Sequence, residues 1–281
     1  MPTYSGNAYE ILSQVRYSLN EYSTAFVQAT DTTGAFLNAF LMKHINDAQN
    51  FLFSAVSAQM PHLFLKSTTL TGTASVYALP ADFWRMKRLE NSDGVKIHPI
   101  NVDQKHLDDG QGTPYGYYRY GSSLRIDQDS FTETLTIWYY ARCRELDTGT
   151  TSAGGALSAT LATTAKAIAD YYNGMIIENV TDSTVDTITD YSAARVCTVS
   201  NTWASSKYYG IVSELPEVMQ PLIAERAILT LKQTPKSPIK AKPEDFTIFR
   251  ENLSEAMKLL GGTLNTDADI DSVINDFEPM F

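Results

Sequence analysis

The sequence predicts an α+β fold: mainly an α-helical bundle with a small antiparallel β-sheet, plus an inserted all-β module. Three observations indicate this fold class. Apolar residues recur at helical spacing in four segments. Residues 95–140 alternate between short apolar runs and turn residues, which is typical of a small antiparallel sheet. Between residues 147 and 210, Thr, Ser, Ala and Gly dominate and charges are few, which indicates a separate β module.

The longest predicted helix begins near residue 36 and organises the rest of the chain. Its apolar residues recur at steps of three and four, so they lie on one face. They are Leu37, Leu41, Ile45, Ala48, Leu52 and Ala55. Asp31, Thr32 and Thr33 precede the run as candidate N-caps, because their side-chain oxygens can accept hydrogen bonds from first-turn amides. Met60-Pro61 ends the helix, since proline disfavours helical geometry in the residue before it.

Three further segments have helical patterns. Residues 9–26 form the first helix and are expected to pack on the long one. Another helix opens at residues 215–217, where proline suits the first turn. Pro221 means that this helix either starts later or kinks. The last helix starts at Pro243 and ends at the glycine pair that begins at Gly261.

The predicted sheet has one well-defined strand at residues 135–140. Successive side chains of a strand point to opposite faces, and both faces of this strand carry aromatic residues. We therefore expect the sheet to be covered on both sides. The basic cluster Arg85, Lys87 and Arg88 is interpreted as a solvated edge that discourages strand-to-strand association, rather than as a phosphate contact.

A series of motifs follows one order along about three-quarters of the chain. They are residues 40–49 (FLMKHINDAQ), 61–65 (PHLFL), a Thr-rich strand at 68–71, 77–83 (YALPADF), 112–114 (GTP), the strand 135–140 and 215–217 (LPE). Their order resembles that of the head-to-tail adaptor (connector, head completion) proteins of tailed bacteriophages. Residues 170–175 and 188–191 are similar to β inserts that recur in phage structural proteins. The chain departs from the family pattern at residues 127–129 (DQD), where a proline-bearing turn is expected.

The resemblance implies three parts. These are an adaptor core of residues 1–146 and 211–262, an inserted β module of residues 147–210, and a C-terminal docking tail of residues 263–281. It also implies a structural virion protein at the head–tail interface, assembled in the host cytoplasm. Copies would form a ring, a dodecamer, under the portal protein. The ring would extend the DNA channel and provide the attachment surface for the tail or nozzle protein, and the insert could contact tail fibres.

The C-terminal segment is a candidate docking element. Residues 263–281 contain five acids and no Lys or Arg. Their apolar residues fall at i, i+3, i+4 and i+7, with two more beyond. They are Ile270, Val273, Ile274, Phe277, Met280 and Phe281. An apolar stripe opposite acids suits a helix that lies in a partner's groove, here the portal. The segment could equally fold back on its own bundle, and a glycine hinge precedes it in either case.

A basic connection is a second candidate site. Lys232, Lys236, Lys240 and Lys242 occur without an intervening acid. Such a run is usually a solvated loop, but it could also dock an acidic neighbour or the DNA backbone.

Composition argues against several function classes. The net charge of −10 disfavours a protein that grips DNA by neutralising phosphates, although DNA could pass along it without sequence-specific binding. No catalytic motif, cofactor loop or metal-ligand spacing occurs, so we expect no enzyme, cofactor or metal. Cys143 and Cys197 are expected to be ordinary thiols. Neither a secretory signal nor a membrane span is expected.

One alternative function is a virion-anchored module that binds host glycans or attaches tail fibres through residues 147–210. Exposed aromatic side chains there would support it, and the candidates are Trp203, Tyr208 and Tyr209. A glycan-cleaving enzyme is a further alternative and needs two carboxylates facing each other across a groove.

Overall fold

The computed structural model describes residues 6–20, 36–101, 103, 116–128, 130–235, 237 and 239–261. These residues contain four α helices and sixteen strands, and the strands form four antiparallel sheets of four strands each. The chain divides into two units. Met1–Met60 and Cys143–Phe281 form the larger unit, and Pro61–Arg142 forms the smaller unit.

The helices belong to the larger unit. They are α1 (Ala8–Ser18), α2 (Asn38–Gln59), α3 (Pro221–Gln233) and α4 (Pro243–Leu259). The α3 helix packs against the other three helices, and its buried residues Leu222, Ile223 and Ala227 face that core. None of the helices in the described part of the chain is long and apolar enough to cross a membrane.

The long predicted helix is α2, and most of its apolar stripe is confirmed. Leu41, Ile45 and Leu52 are fully buried. Leu37 is the exception: it is 55% exposed and precedes the first helical residue. It makes no side-chain cap, and the predicted caps at residues 31–33 lie outside the described residues. The helix ends before Met60, which confirms the effect expected of the following proline.

The other helices begin and end close to predicted signals. The α3 helix starts at Pro221 after a separate 3-10 turn at Glu217–Met219, so the later start is the correct alternative. Gly261 follows α4 with φ +84°, a backbone conformation that glycine adopts without strain. The α1 helix ends at Ser18, and the rest of its predicted range from residue 21 lies outside the described residues.

The smaller unit consists of two sheets around one core. Its strands are β1 (Leu65–Leu70), β2 (Gly72–Thr73), β3 (Val76–Ala78), β4 (Phe83–Glu90), β5 (Lys96–Ile97), β6 (Tyr117–Tyr120), β7 (Ser123–Ile126) and β8 (Leu135–Ala141). The sheet orders are β1-β8-β4-β5 and β2-β3-β7-β6. Tyr77 and Leu124 from one sheet and Leu89, Leu135 and Ile137 from the other join a common buried cluster.

The larger unit carries the other two sheets. Its strands are β9 (Thr148–Thr150), β10 (Ala153–Gly155), β11 (Ser158–Thr160), β12 (Ile176–Asn179), β13 (Thr184–Thr187), β14 (Asp190–Tyr191), β15 (Val196–Thr198) and β16 (Tyr208–Ile211). The sheet orders are β10-β11-β15-β14 and β13-β12-β16-β9. The α1 helix packs on β16 and β9. The division into core, inserted module and tail stays a prediction about how the chain is built.

The predicted fold class, mainly a helical bundle with a small sheet, is wrong. Four antiparallel sheets account for most of the secondary-structure elements in the described residues, and helices do not dominate the fold. The reason is element length. A helix of 22 residues such as α2 shows several full periods of its apolar pattern, whereas strands of two to four residues show one or two alternations. A fold prediction based on periodicity therefore overestimates the share of helices.

Candidate functional site

The smaller unit presents aromatic and basic side chains on one face of the sheet β1-β8-β4-β5. On the opposite face Ile137 and Tyr139 are buried in the core. Alternation places Trp138 and Tyr140 on the other face, where Trp138 is 37% exposed. The expectation that this sheet is covered on both sides is therefore wrong for Trp138. We call this surface the basic-aromatic face. Its members are Trp84, Arg85, Lys87, Arg88, Lys96, Trp138 and Tyr140.

Cross-strand pairing and ring contacts hold two cations of this face in place. Arg85 pairs with Tyr140 across β4 and β8, and its guanidinium carbon lies 4.8 Å from the Tyr140 ring centre and 5.5 Å from that of Trp84. The Lys87 ammonium lies 6.0 Å from the Tyr140 ring centre. A cation over an aromatic face is attracted by the negative potential of the ring. Tyr140 is therefore buried beneath two cations.

The acid on this face is Glu90, which already has partners. Arg88 forms a salt bridge with Glu90 Oε1, and Trp138 Nε1 donates a hydrogen bond of 3.1 Å to Glu90 Oε2. Lys96 pairs with Glu90 across β5 and β4, and its side chain is exposed. The face thus carries four cations against one acid that is engaged with Arg88 and Trp138.

Two irregularities in β4 account for the density of large side chains. Its register against β8 shifts between Phe83 and Arg85 and again between Met86 and Arg88. Each shift adds a residue to β4 and re-aims the side chains beside it. Beyond β8, β4 pairs only at Leu89 and Glu90, with β5, among the described residues. The basic cluster thus lies on a partly open edge, as predicted, but it also covers the face of the sheet.

The basic connection is partly tied to its own chain. The Lys232 ammonium lies 3.3 Å from Asp245 Oδ2, and the Lys242 amide donates a 3.2 Å hydrogen bond to the same carboxylate. The hydrogen bond from the Lys242 amide, together with the Lys232 charge, holds the pKa of Asp245 below its usual value.

Lys240 lies beyond the end of α3 and caps it. Its ammonium donates to the carbonyl oxygens of Thr234 at 2.9 Å and Pro235 at 3.3 Å. A cation there satisfies carbonyls that the helix end leaves open. Lys236 and the six docking-tail residues of the sequence prediction lie outside the described residues. A docking role for either site stays a prediction.

A buried ion pair that sequence reasoning missed joins distant parts of the larger unit. Arg144 donates from Nε and Nη2 to the two carboxylate oxygens of Glu214, at 3.0 and 2.7 Å. Its Nη1 donates to the carbonyl oxygens of Tyr171 at 3.0 Å and Asn173 at 2.6 Å. A forked guanidinium suits such bidentate pairing. Arg144 and Glu214 are 70 positions apart, so no local sequence pattern could reveal the pair.

The α2 helix anchors the same stretch of chain through two amide side chains. Asn46 accepts a 2.7 Å hydrogen bond from the Leu146 amide and donates a 3.1 Å bond to its carbonyl. Gln49 donates a 2.8 Å bond to the Arg144 carbonyl. Polar residues beside an apolar helical stripe, as in the motif FLMKHINDAQ, were the available signal for this role.

A cavity of about 340 Å³ in the larger unit contains a buried carboxylate. Its lining includes Asn38 and Lys43 from α2, together with Asp147, Thr164 and Tyr172. Burial raises the pKa of Asp147 to about 6, against hydrogen bonds from Tyr209, Thr164 and the Thr148 amide that lower it. The carboxylate of Asp147 is therefore already engaged by hydrogen bonds from within the fold.

The aromatic residues proposed for glycan recognition do not form an exposed platform. Trp203 is 2% exposed and Tyr209 is fully buried. Trp203 Nε1 donates a 2.8 Å hydrogen bond to Asp186 Oδ2. Tyr208 packs on Tyr9, with ring centres 5.8 Å apart. The exposed aromatics expected of a glycan-binding insert are therefore not supplied by these three residues.

Both cysteine thiols lie in the interior of the fold. Cys143 and Cys197 are both buried, and no disulfide joins them. Burial raises the pKa of Cys197 to about 11, and its thiol donates to the Ala159 carbonyl at 3.0 Å. Within the described residues, no group of three or more His, Cys, Asp or Glu side chains is arranged to hold a metal ion.

Comparison with known proteins gives one family. The family model described as SU10 adaptor protein matches residues 7–174, more than half of the chain. The matched range contains α1, α2, the whole smaller unit and the larger unit's strands β9 to β11. No curated protein matches the chain. The family match confirms the resemblance to phage head-to-tail adaptors that the order of motifs indicates.

Proposed function

The chain belongs to the SU10 adaptor protein family, and from this premise we propose that it forms a ring beneath the portal of a phage. Family membership supports a structural role as a phage adaptor. The proposed ring extends the DNA channel and provides the attachment surface for the next tail component. The proposed role is assembly rather than catalysis.

The observation that carries the proposal is the family match, which spans elements of both units. The charge of the chain is compatible with the role. A net charge of −10 suits the wall of a conduit, because a wall that bound phosphates strongly would retard DNA. The alternative of glycan binding through residues 147–210 has less support, since Trp203 and Tyr209 are buried.

We further propose that the C-terminal segment docks on the portal through its apolar stripe. The stripe follows the end of α4 and a glycine pair that starts at Gly261. An amphipathic segment on a hinge can adapt to a groove on a partner, and its apolar residues would be removed from water there.

The test is co-sedimentation of the purified chain with the portal ring of its own phage, together with native mass measurement. We expect saturable binding at a fixed ring stoichiometry. The variant Ile270→Ser, Ile274→Ser, Phe277→Ser should weaken binding by about tenfold or more, because three apolar anchors are lost. Its unfolding midpoint should stay unchanged if the stripe contacts the portal and not its own bundle.

A matched control changes acids of the same segment that lie off the apolar stripe at helical spacing. The variant Asp269→Ser, Asp271→Ser, Asp276→Ser also replaces three residues by serine but keeps the apolar stripe. It should bind the portal with nearly unchanged affinity. Equal binding of the wild type and the stripe variant would exclude the docking proposal. A chain that ignores the portal but binds cell-surface glycans would refute the adaptor ring.

A further inference from the structure

We propose that the basic-aromatic face of the smaller unit binds the acidic larger unit of a second copy of this chain. The inference rests on the proposed ring and names the surface that joins neighbouring copies. It commits to one occupant, a second copy, because the chain itself supplies a unit of the complementary net charge.

The charge of the chain is segregated between the two units. Residues 61–142 contain nine Lys or Arg and nine Asp or Glu, so the smaller unit has no net charge. The net charge of −10 therefore belongs entirely to the larger unit, whose described residues carry 12 Lys or Arg against 16 Asp or Glu, with five further acids in residues 263–281. A basic face on a neutral unit and an acidic unit on the same chain attract each other between copies. Such a head-to-tail contact uses two different surfaces and closes into a ring when the rotation permits.

The face also has the apolar content of an interface. Trp84 is 40% exposed and Trp138 37% exposed. Leu65, opposite Tyr140 in the neighbouring strand β1, is 39% exposed. Exposed tryptophans next to arginines are the composition that interface centres favour.

Two of the four cations on this face, Arg85 and Arg88, are held before any partner arrives. Arg85 is in contact with the rings of Trp84 and Tyr140, and Arg88 is paired with Glu90. A side chain that is already oriented loses less conformational entropy on binding. Arg85, Lys87 and Lys96 have no acid partner among the salt bridges of the described residues, so their charge is available to a partner.

Self-association of the full-length chain tests the proposal. Sedimentation velocity and native mass spectrometry over a range of concentrations would compare the wild type with Arg85→Glu, Lys87→Glu. We expect the variant to associate only at concentrations about tenfold or more above those at which the wild type associates, because two attractive charges become repulsive. Raising the salt concentration should weaken the wild type in the same direction. A second variant, Trp138→Ala, removes apolar area without a charge change and should also weaken association.

The control variant Lys166→Glu, Lys258→Glu makes the same change in net charge on the larger unit. Lys166 pairs with Glu145 and is about two-fifths exposed, and Lys258 is exposed on α4. Because these changes make the acidic unit more acidic, association should be unchanged or stronger. Equal weakening by both double variants would mean that overall repulsion is responsible, and would overturn the proposal.

Further outcomes separate this inference from the proposed function. If the Arg85→Glu, Lys87→Glu variant still binds the portal and self-associates as the wild type does, the inference is overturned and the adaptor role stays intact. If the wild type self-associates but does not bind the portal, and this variant loses self-association, the result supports the inference and refutes the adaptor ring. A wild type that stays monomeric with and without the portal would overturn the inference. A variant that associates normally but no longer binds a DNA duplex would assign the face to nucleic acid instead.

Discussion

Asp147 is a single residue whose ionisation opposes folding. Its carboxylate is buried beside Tyr209, Tyr172 and Tyr191, and Arg195 is the cation that favours its charged form. Burial is the largest effect and raises its pKa to about 6. An asparagine at this position would keep an oxygen that can accept the hydrogen bond from Tyr209 without carrying a charge, so the charge of Asp147 and its structural role can be separated by experiment.

The stability of the larger unit should fall as pH rises from about 4 to about 6. An unfolded aspartate has a pKa of about 3.9, so in this range the folded state binds more protons than the unfolded state. The ionised carboxylate then costs about 2 to 3 kcal/mol of the free energy of unfolding at pH 7. Asp147→Asn should remove this fall, which urea unfolding at pH 4.5, 5.5 and 7 would measure.

Asp186 provides a control of opposite sign. Burial acts to raise its pKa, but donors from Ser200, Asn201 and Trp203 outweigh it, so the pKa is lowered. Its contribution to stability is present above pH 4 and is lost as pH falls through its folded pKa. Asp186→Asn should therefore leave the fall between pH 4 and 6 in place. An Asp147→Asn variant with the wild-type pH dependence would contradict the assignment.

Residue burial could be predicted only where the sequence has a long pattern. The α2 stripe identified Leu41, Ile45 and Leu52 as buried, because the helix repeats the spacing several times. Trp203 and Tyr209 gave no such signal. Their burial depends on the buried acceptor Asp186 for Trp203 and on Asp147 for Tyr209, contacts between residues that are 17 and 62 positions apart in the chain.

At the scale of elements, the start of α1 is fixed by the sheet on which it packs. Asn7 Oδ1 accepts a 2.8 Å hydrogen bond from the Tyr9 amide, and Asn7 Nδ2 donates a 2.6 Å bond to Glu178 on β12. A β carbon on Gly210 of β16 would lie 1.7 Å from Asn7 Oδ1. Glycine at this position is therefore required so that the helix cap can approach the strand.

Three substitutions at Asn7 should separate its two bonds. Asn7→Ser keeps a cap but loses the bond to Glu178, whereas Asn7→Ala loses both and should cost about 2 to 3 kcal/mol of the free energy of unfolding. Asn7→Asp keeps the cap but places a second carboxylate against the buried Glu178, so it should destabilise more than serine does. Chemical denaturation would rank the variants, and an aspartate variant as stable as the wild type would contradict this account.

The longer elements could be predicted from the sequence more accurately than the shorter ones. The helix boundaries at Met60, Pro221, Pro243 and Gly261 follow from proline and glycine chemistry and agree with the structure. The sheets could not be assembled from sequence, because neighbouring strands such as β1 and β8 are about 70 residues apart. Pairing of that kind is decided by packing of the two faces, which local propensity does not contain.

At the scale of the whole molecule, composition and contacts divide the chain in different places. Composition marks residues 147–210, whereas contacts separate Pro61–Arg142 from the rest. A change in composition reflects how the side chains of a segment interact with water. A contact boundary reports where one buried core ends, and in the smaller unit that core is formed by residues of its own continuous stretch of chain.

Because each unit has its own core, we expect two unfolding transitions. Leu135 is fully buried in the smaller unit and Leu52 in the larger unit. Leu135→Ala and Leu52→Ala should each lower the stability of one unit by about 2 to 5 kcal/mol through the cavity they leave. Each should therefore shift one transition and leave the other unchanged.

The three tryptophans allow the transitions to be followed separately. Trp84 and Trp138 lie in the smaller unit and Trp203 in the larger unit. In a Trp203→Phe background, fluorescence reports the smaller unit and should respond to Leu135→Ala alone. In a background with Trp84→Phe and Trp138→Phe it reports the larger unit and should respond to Leu52→Ala alone. If either alanine substitution moved both signals by the same amount, the two cores would unfold as one, and cooperativity would have to cross the boundaries at residues 60 and 143.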